Sequence, residues 1–312
     1  MNKTSFAIGC LVQWYECDII EEYLSTLSKA VKLYEGNVLV DINIAAGQDL
    51  EKAVSPEAYD KCLNSIRLIC NRQGFNVTTT LGITTISDYR REFNTRYCEL
   101  ADVLIWGESD MLVPSQIFSA LNILHSNVSS PKYLATFGIC KMWDNSWKML
   151  EHPKFTDKPF IENDYDNWWS VKYTMTAEEM EEINRGAQDL GVVRLPQHKF
   201  NGCGLVISSE VIKAGVNIPQ SVFFDHEDTA FMLMTQKVLG NIPQYIIKNI
   251  LVVHNRNHPK KRLYVKGERG GTMNQKRRSN DWYVKANKYS EENCYNLFNP
   301  NYKAKTWKDV WK

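Results

Sequence analysis

The stretch ADVLIWGESDMLVP, residues 101–114, decides how this chain is read. Its apolar run reads as a buried strand, and the run stops at two acids, Glu108 and Asp110, with Ser109 between them and Pro114 beyond. Two carboxylates leaving one short turn can be aimed at a single point, which suits a divalent metal that bridges phosphates. The same letters also fit a turn whose Asp caps the next helix, PSQIFSALNILH, with Pro114 near its start. Spacing alone leaves both open.

The residues before this stretch alternate in period. SFAIGCLVQW is a short apolar run, and DIIEEYLSTLSKAVKLY repeats apolar residues at helical spacing with acids in its first turn. NVLVDINIA reads as a second strand, SPEAYDKCLNSIRLICNRQG as a helix closed by Gly74, and FNVTTTLG as a third strand rich in β-branched residues. A further helix is predicted over about Asp88 to Leu100, ahead of the strand DVLIWG. Strands alternating with helices imply an α/β fold, a Rossmann-like and mostly parallel sheet flanked by helices. In such sheets ligands sit beyond the carboxyl ends of the strands, which is where Glu108 and Asp110 fall.

Composition bounds the rest. The chain has 312 residues, 44% hydrophobic and 12% aromatic, enough to bury a large core. Apolar stretches fall short of the roughly 20 residues that cross a bilayer, and the N-terminus reaches acid before a signal-like core is complete, so no membrane insertion and a cytoplasmic location are expected. The eight cysteines, Cys10, Cys17, Cys62, Cys70, Cys98, Cys140, Cys203 and Cys294, include no C-x-x-C pair and read as reduced thiols. The sequons at Asn2, Asn76 and Asn127 then carry little meaning. Charge is uneven. Residues 249–312 hold 15 Lys and Arg against 5 Asp and Glu, a balance of +10, while residues 1–248 hold 22 against 31, or −9. Nine aromatics, among them Tyr264, Trp282, Tyr283, Tyr289, Trp307 and Trp311, are interleaved with that basic charge. Such a segment either meets a polyanion, stacking on bases or sugars, or docks on the core through its aromatics.

RREFNTRYCELADVLIWGESDMLVP resembles the region of GT-A type glycosyltransferases, of the broad family 2 group, in which an Arg and an Asn precede a strand ending in an Asp-x-Asp-like metal motif. The resemblance matches Arg91 and Asn94 to the helix start that faces the nucleotide sugar. It matches Glu108, Ser109 and Asp110 to the metal motif, with Asp110 the metal contact and Glu108 a departure from the usual Asp. The opening strand and helix and VLVDINIA are similar to the family's first units, placing Val12 to Trp14 and Asp41 where nucleobase and ribose are held. VDIN lacks the family's usual acid-Gly-Ser run.

A second match, NGCGLVISSEVIKAGVNIPQSVFFDHEDTAFMLMTQKVLG, looks like the family's acceptor region, where adjacent acids open a helix and the second serves as base. Here these are Glu227 and Asp228, and a helix dipole would help Asp228 stay ionised. Read alone, the pair is also an ordinary acidic first turn. YIIKNILVVHNRNHPKKR reads as an apolar strand ending in His254, with His258 four residues on. The resemblance implies that such a histidine completes the metal site or touches the diphosphate. The cluster Lys260, Lys261 and Arg262 would neutralise a leaving diphosphate or bind an anionic acceptor. Between Pro131 and Lys199 the aromatic-rich insertion offers Trp143, Trp147, Trp168 and Trp169 as a platform for sugar or acceptor, or as buried structural residues. TAEEMEEINRGAQDLG is predicted to be an amphipathic helix with its charges in solvent.

Three parts are expected: a nucleotide-sugar-binding half at 1–125, an acceptor half at 126–258, and a basic aromatic extension at 259–312. The resemblance implies metal-dependent inverting transfer from a nucleotide sugar, UDP-linked, with Mn2+ or Mg2+. The basic aromatic segment points to a DNA acceptor, whose hydroxyl would be that of a 5-hydroxymethylated pyrimidine in phage DNA. The alternatives are a surface glycan or lipid-linked acceptor, and a non-catalytic binder of nucleotide sugar or nucleic acid.

Overall fold

A computed structural model of the protein describes residues 3–47, 56–82, 84–138, 142–143, 176–186, 189–195, 197, 199–255 and 281–312. Among these residues, strand β1 (Phe6–Gln13), helix α1 (Ile20–Leu33), β2 (Val38–Ala45), α2 (Pro56–Arg72), β3 (Val77–Thr80), α3 (Ile86–Tyr97) and β4 (Val103–Trp106) follow one another. The strands β3-β2-β1-β4 lie side by side and parallel. The alternation of strand and helix is therefore realised as read. Gly74 lies just beyond α2 at φ 77, a left-handed position that costs glycine little.

The sheet continues as β4-β10-β6-β11-β8, giving eight strands in all. Here β6 (Leu134–Phe137) and β11 (Gln244–Ile247) are parallel to each other, whereas β10 (Val206–Ser208) and β8 (Val192–Leu195) run antiparallel to their neighbours. The result is a mixed, mostly parallel sheet. Two short pairs lie outside it, β5 (Met111–Leu112) with β12 (Val253–His254) and β7 (Met142–Trp143) with β9 (Lys199–Phe200). The expected single strand running up to His254 is thus broken. The turn after Ile247 lets β12 leave the main sheet and pair with β5 instead.

Period-two burial fixes the sheet between two cores. Phe6, Ile8, Cys10 and Val12 of β1 join Val103 and Ile105 of β4 in one core with α1, α2 and α4 (Ile117–Asn127). Ala7 and Leu11 join Leu104 and Trp106 in the other core, under α3, α6 (Ser209–Lys213) and α7 (Glu227–Leu239). Helix α5 (Ala177–Arg185) begins with a Thr176/Glu179 capping box and buries Met180 and Asn184. One of its charges does not face solvent: Glu181 accepts from the backbone N–H of Ser115 at 3.0 Å and from its hydroxyl at 2.7 Å.

The C-terminal aromatics dock. Helix α8 (Asp281–Tyr295) and the short α9 (Trp307–Val310) lay Trp282, Tyr283 and Trp307 against Phe223 and Phe224, and Trp307 stacks on Trp311 at 6.0 Å. Tyr264 lies outside the described residues.

Gly9 lets α3 approach β1, because a Cβ there would lie 2.5 Å from the Phe93 ring and 2.7 Å from the Tyr89 hydroxyl. Gly9→Val is expected to destabilise the protein by about 1–3 kcal/mol, the usual cost of overpacking. Urea unfolding checks it, and an unchanged midpoint would contradict the packing.

Candidate active site

The site begins where β1 and β4, adjacent parallel strands, both end. From β1 the crossovers lead to β2 on one side and the sheet continues to β4 on the other, which opens a crevice at their carboxyl ends. The backbone N–H of Gly107 donates to the Gly9 carbonyl at 2.7 Å, closing β4 onto β1, and the next residues turn, with Met111 N donating to Glu108 O at 3.0 Å. The turn is pinned from outside by the β5–β12 pair, in which His254 faces Met111. That pairing brings the His254 Nε2 to 3.0 Å from Glu108 Oε2 and 3.4 Å from Asp110 Oδ1.

The alternative reading of Asp110 as a helix cap is removed by this geometry. Strand β5 intervenes, and the residue capping α4 is Gln116, with no side-chain cap bond. Asp110 is instead buried beside His254, with its carbonyl accepting from Asn255 N at 2.8 Å. Ser109 is buried between the two acids.

The other oxygen of Glu108 goes to Arg90. Arg90 Nη2 donates to Glu108 Oε1 at 2.9 Å and Nη1 pairs with Glu227 Oε1. The guanidinium is 2% exposed and lies 4.7 Å over the Trp106 ring. Gly202 makes room for it: a Cβ at Gly202 would overlap Arg90, and the Gly202 carbonyl accepts from Nη2 at 3.3 Å.

Glu227 and Asp228 are turned inward by the residue before them. His226, at φ 63, is the sole non-glycine residue with positive φ among the described residues, and it precedes α7 without capping it through its side chain. Such a conformation costs about 1–3 kcal/mol and persists where the surroundings impose it. Here α8 does so. Ser290 Oγ accepts from the N–H groups of Phe224 (3.2 Å) and Asp225 (3.3 Å), and Asn293 donates to Ser221 O at 2.6 Å.

Several residues singled out from sequence are placed differently. Arg91 points away from the crevice, donating to the carbonyls of Ile218 (2.8 Å), Pro219 (2.9 Å) and Val222 (2.7 Å), because neighbours on a helix face directions about 100° apart. It clamps the loop before α7, and Arg90 takes the inner face. Asn94 is fully buried, accepting from Trp106 Nε1 at 2.9 Å and donating to Asn217 at 3.0 Å. Asp41 lies mid-strand opposite Gly9, and its oxygens accept from Tyr89 (3.1 Å), Tyr97 (2.8 Å) and Arg96 (3.0 Å). Val12 sits in the core at 0% exposure, and Trp14, at 1%, packs on Tyr59 with ring centres 4.8 Å apart. None of these five side chains is presented at the crevice. Lys260, Lys261, Arg262 and His258 lie outside the described residues, as do Trp147, Trp168, Trp169 and the Trp143 side chain. Sequence reading missed Arg90. The doublet Arg90-Arg91 was the available signal, and only its helical phase tells the two apart.

No protein-family model matches the chain, and no curated protein does. Among solved structures it is similar to residues 1–349 of TarS from S. aureus, with a TM-score of 0.47 and 9% identity over 95% of this chain and 72% of that one. It is similar to glucosyl-3-phosphoglycerate synthase from Mycobacterium tuberculosis in complex with Mn2+, UDP and phosphoglyceric acid, at 0.45 and 12%, covering 86% and 76%. GalNAc-T7 with UDP, GalNAc and Mn2+ gives 0.49 and 10%, covering 93% and 52%.

Charge in the crevice is balanced by Arg90 and His254, which make four pairings with Glu108, Asp110 and Glu227. Burial pushes the Glu108 carboxyl up, but the His254 imidazolium and Arg90 outweigh it and bring it down to about 2. Burial disfavours the charged form of His254, yet Cys203, Asp110 and Glu108 hold its pKa well above the ordinary histidine value. These neighbours thus favour the protonated imidazole, in the place where the donor set fits a divalent cation that would compete with that proton. At the start of α7 burial dominates. It pushes Glu227 up to about 7 against the pull of Arg90. Burial also raises Asp228, opposed by Arg90 and by N–H groups of Thr229 and Gly202.

Replacing Arg90 by Met leaves Glu227 without its buried partner and is expected to cost about 3–5 kcal/mol in denaturant unfolding. Adding Glu227→Leu should return part of that loss. Asp225, raised from 3.8 to about 8 by burial and then by Glu227, titrates with the opposite sign to a salt-bridged acid. The folded state keeps a proton that the unfolded chain releases above about pH 4, so this contribution is present at low pH and lost as pH rises through about 8. Asp225→Asn should therefore flatten the fall in melting temperature between about pH 5 and about pH 8. A slope identical to wild type would contradict that assignment.

Proposed function

We propose that this chain is a metal-dependent inverting glycosyltransferase of the GT-A type, moving a sugar from a nucleotide sugar, UDP-linked, to an acceptor hydroxyl. One observation carries the reading: buried Arg90 joins the Glu108–Asp110–His254 cluster at the end of β4 to the Glu227–Asp228 pair at the start of α7. Two functions of a transfer reaction, support of a departing diphosphate and removal of an acceptor proton, then meet in one crevice.

Asp110, Glu108 and His254 would hold the divalent ion, Mn2+ or Mg2+, whose positive charge offsets that growing on the diphosphate. Asp228 takes the proton of the acceptor hydroxyl. The acceptor oxygen forms its bond to the anomeric carbon as the bond from that carbon to the diphosphate breaks, and the electron pair leaves with the diphosphate. A carboxylate raised by burial is a stronger base than one in water, which serves this step. Glu227 stays on Arg90, keeping the guanidinium between the two clusters. The three-part organisation follows the same reading, with donor contacts from 1–125, acceptor contacts from 126–258 and a basic aromatic extension at 259–312.

For the acceptor, the +10 balance of residues 249–312 supports DNA carrying a 5-hydroxymethylated pyrimidine. The partial burial of Trp282 and Trp307 against Phe223 and Phe224 leaves less ring surface to stack on bases, which weighs against DNA and leaves a surface glycan or lipid-linked acceptor as the second reading. Nucleoside mass spectrometry after incubation of hydroxymethylated DNA with Mn2+ and a panel of nucleotide sugars separates the two. A sugar mass added to the modified base supports DNA, and diphosphate release without it supports the glycan.

Asp110→Asn is expected to weaken metal binding about 10–100-fold, judged from the cost of perturbing groups around metal ligands. Asp228→Asn should slow transfer about 10²–10⁴-fold while nucleotide-sugar binding, followed by calorimetry, stays at the wild-type level. Full activity in either variant would remove that residue from its role.

A further inference from the structure

A fourth donor faces the metal cluster, and it is a thiol. Cys203 lies in the turn Asn201–Gly204, which the end of β4 holds in place: Gly204 N donates to Trp106 O at 2.9 Å, and Trp106 N donates to Leu205 O at 3.0 Å. Asn201 Oδ1 accepts from Cys203 N at 3.1 Å, and Gly204, at φ 70, completes the turn. Gly202, the residue before the cysteine, is the one that gives Arg90 its space. The turn that seats the guanidinium thus also sets the thiol beside Glu108.

The Sγ of Cys203, one carboxylate oxygen of Glu108 and a ring nitrogen of His254 all lie within 4.8 Å of one another. Cys203 itself is 1% exposed, while Glu108 and His254 keep part of their surface open, so an ion can enter from their side. Zinc binds sulfur and nitrogen at about 2.0–2.3 Å, which puts neighbouring donors of a tetrahedral site roughly 3.3–3.8 Å apart. Side-chain shifts of about 1 Å close the present set onto an ion of that kind.

We infer that Cys203 is a thiolate ligand of this metal centre and makes the centre prefer Zn2+ and Co2+ to Mg2+. The inference rests on the reading of Glu108, Asp110 and His254 as a metal centre. Magnesium is a hard ion that takes oxygen, while thiolate and imidazole suit the softer ions. On ligation the Cys203 thiol proton and the His254 imidazolium proton both pass to solvent, and a sulfur and a ring-nitrogen lone pair enter the coordination shell, with no change of oxidation state. A buried thiol of ordinary packing function would fill space beside the cluster without affecting which ion it holds.

Cobalt is the probe, because a thiolate ligand gives Co2+ a charge-transfer band in the near ultraviolet that oxygen and nitrogen donors do not. The full-length protein titrated with Co2+ should show that band together with the visible bands of the bound ion. Cys203→Ser should lose the charge-transfer band, and its Zn2+ affinity should fall at least about tenfold relative to its Mg2+ affinity. A second pair of thiols, Cys17 and Cys62, has its sulfurs 3.3 Å apart, so the Cys17→Ser/Cys62→Ser variant serves as background and should keep the band. Wild-type protein alone already tests the idea, should Cys203→Ser fold poorly. Cobalt that binds, is lost in Asp110→Asn and shows no thiolate band would overturn the role of Cys203 while leaving the metal centre. A band that survives Cys203→Ser, or vanishes in the Cys17/Cys62 variant, would overturn it too. No cobalt binding at all would sink both the ligand and the centre.

Discussion

A single buried cation holds this crevice together. Arg90 comes from α3, Glu108 from the turn after β4 and Glu227 from the start of α7, and the three meet with the guanidinium almost wholly out of water. A charge in that position is tolerated only if it is paired, and the surrounding chain gives its two Nη groups the carboxylates of Glu108 and Glu227 and the Gly202 carbonyl, while Nε has no partner among the described residues. Burial works against the charged form of Arg90, but Glu227 and Glu108 more than compensate and keep it protonated. Trp106 gives the flat face of the guanidinium a surface, Asn94 fixes Trp106, and Gly202 leaves out the side chain that would collide with it.

The pair Glu108 and Glu227 would repel without Arg90, and with it they become the two ends of a bridge between the metal-type cluster and the base-type acid. Rigidity on each side adds to this. The β5–β12 pair brings His254 back from more than 140 residues downstream, and α8 grips residues 221–225 so that the strained turn at His226 persists. Groups held in place before a substrate arrives need no reorganisation when charge develops, which is where catalysis by fixed dipoles and charges gains most. Helix α8, which lies in the basic C-terminal segment without being basic itself, thus acts as the brace for α7.

Legibility in the sequence followed the range of the interactions. Strand and helix periods are local, so β1 through β4 and their helices could be read from residues 1–125 with ends displaced by only a few positions. The acids Glu108 and Asp110 were visible because a buried strand ending in two charges is anomalous by itself. His254 was visible as a polar residue ending an apolar run, although the break after Ile247 was not, since both pieces are apolar. Arg90 went unnoticed beside Arg91 because a doublet carries no phase without the helix that bears it. The surroundings of Asp41 were not legible for a related reason: its register opposite Gly9, and the Tyr89, Tyr97 and Arg96 groups that donate to it, are pairings across distant segments. Cys203 looked like one scattered thiol among eight.

By itself, then, the sequence determined the class of fold, a helix-flanked and mostly parallel sheet, and the order of its acidic motifs, because hydrophobic period and turn chemistry act over a few residues. The antiparallel insertion of β10 between β4 and β6, the exchange of β12 onto β5, the choice of Arg90 as the bridge and the approach of Cys203 to Glu108 and His254 were decided only by tertiary structure. Each of these depends on which distant segments share the buried space around one guanidinium, and short-range pattern carries no record of that.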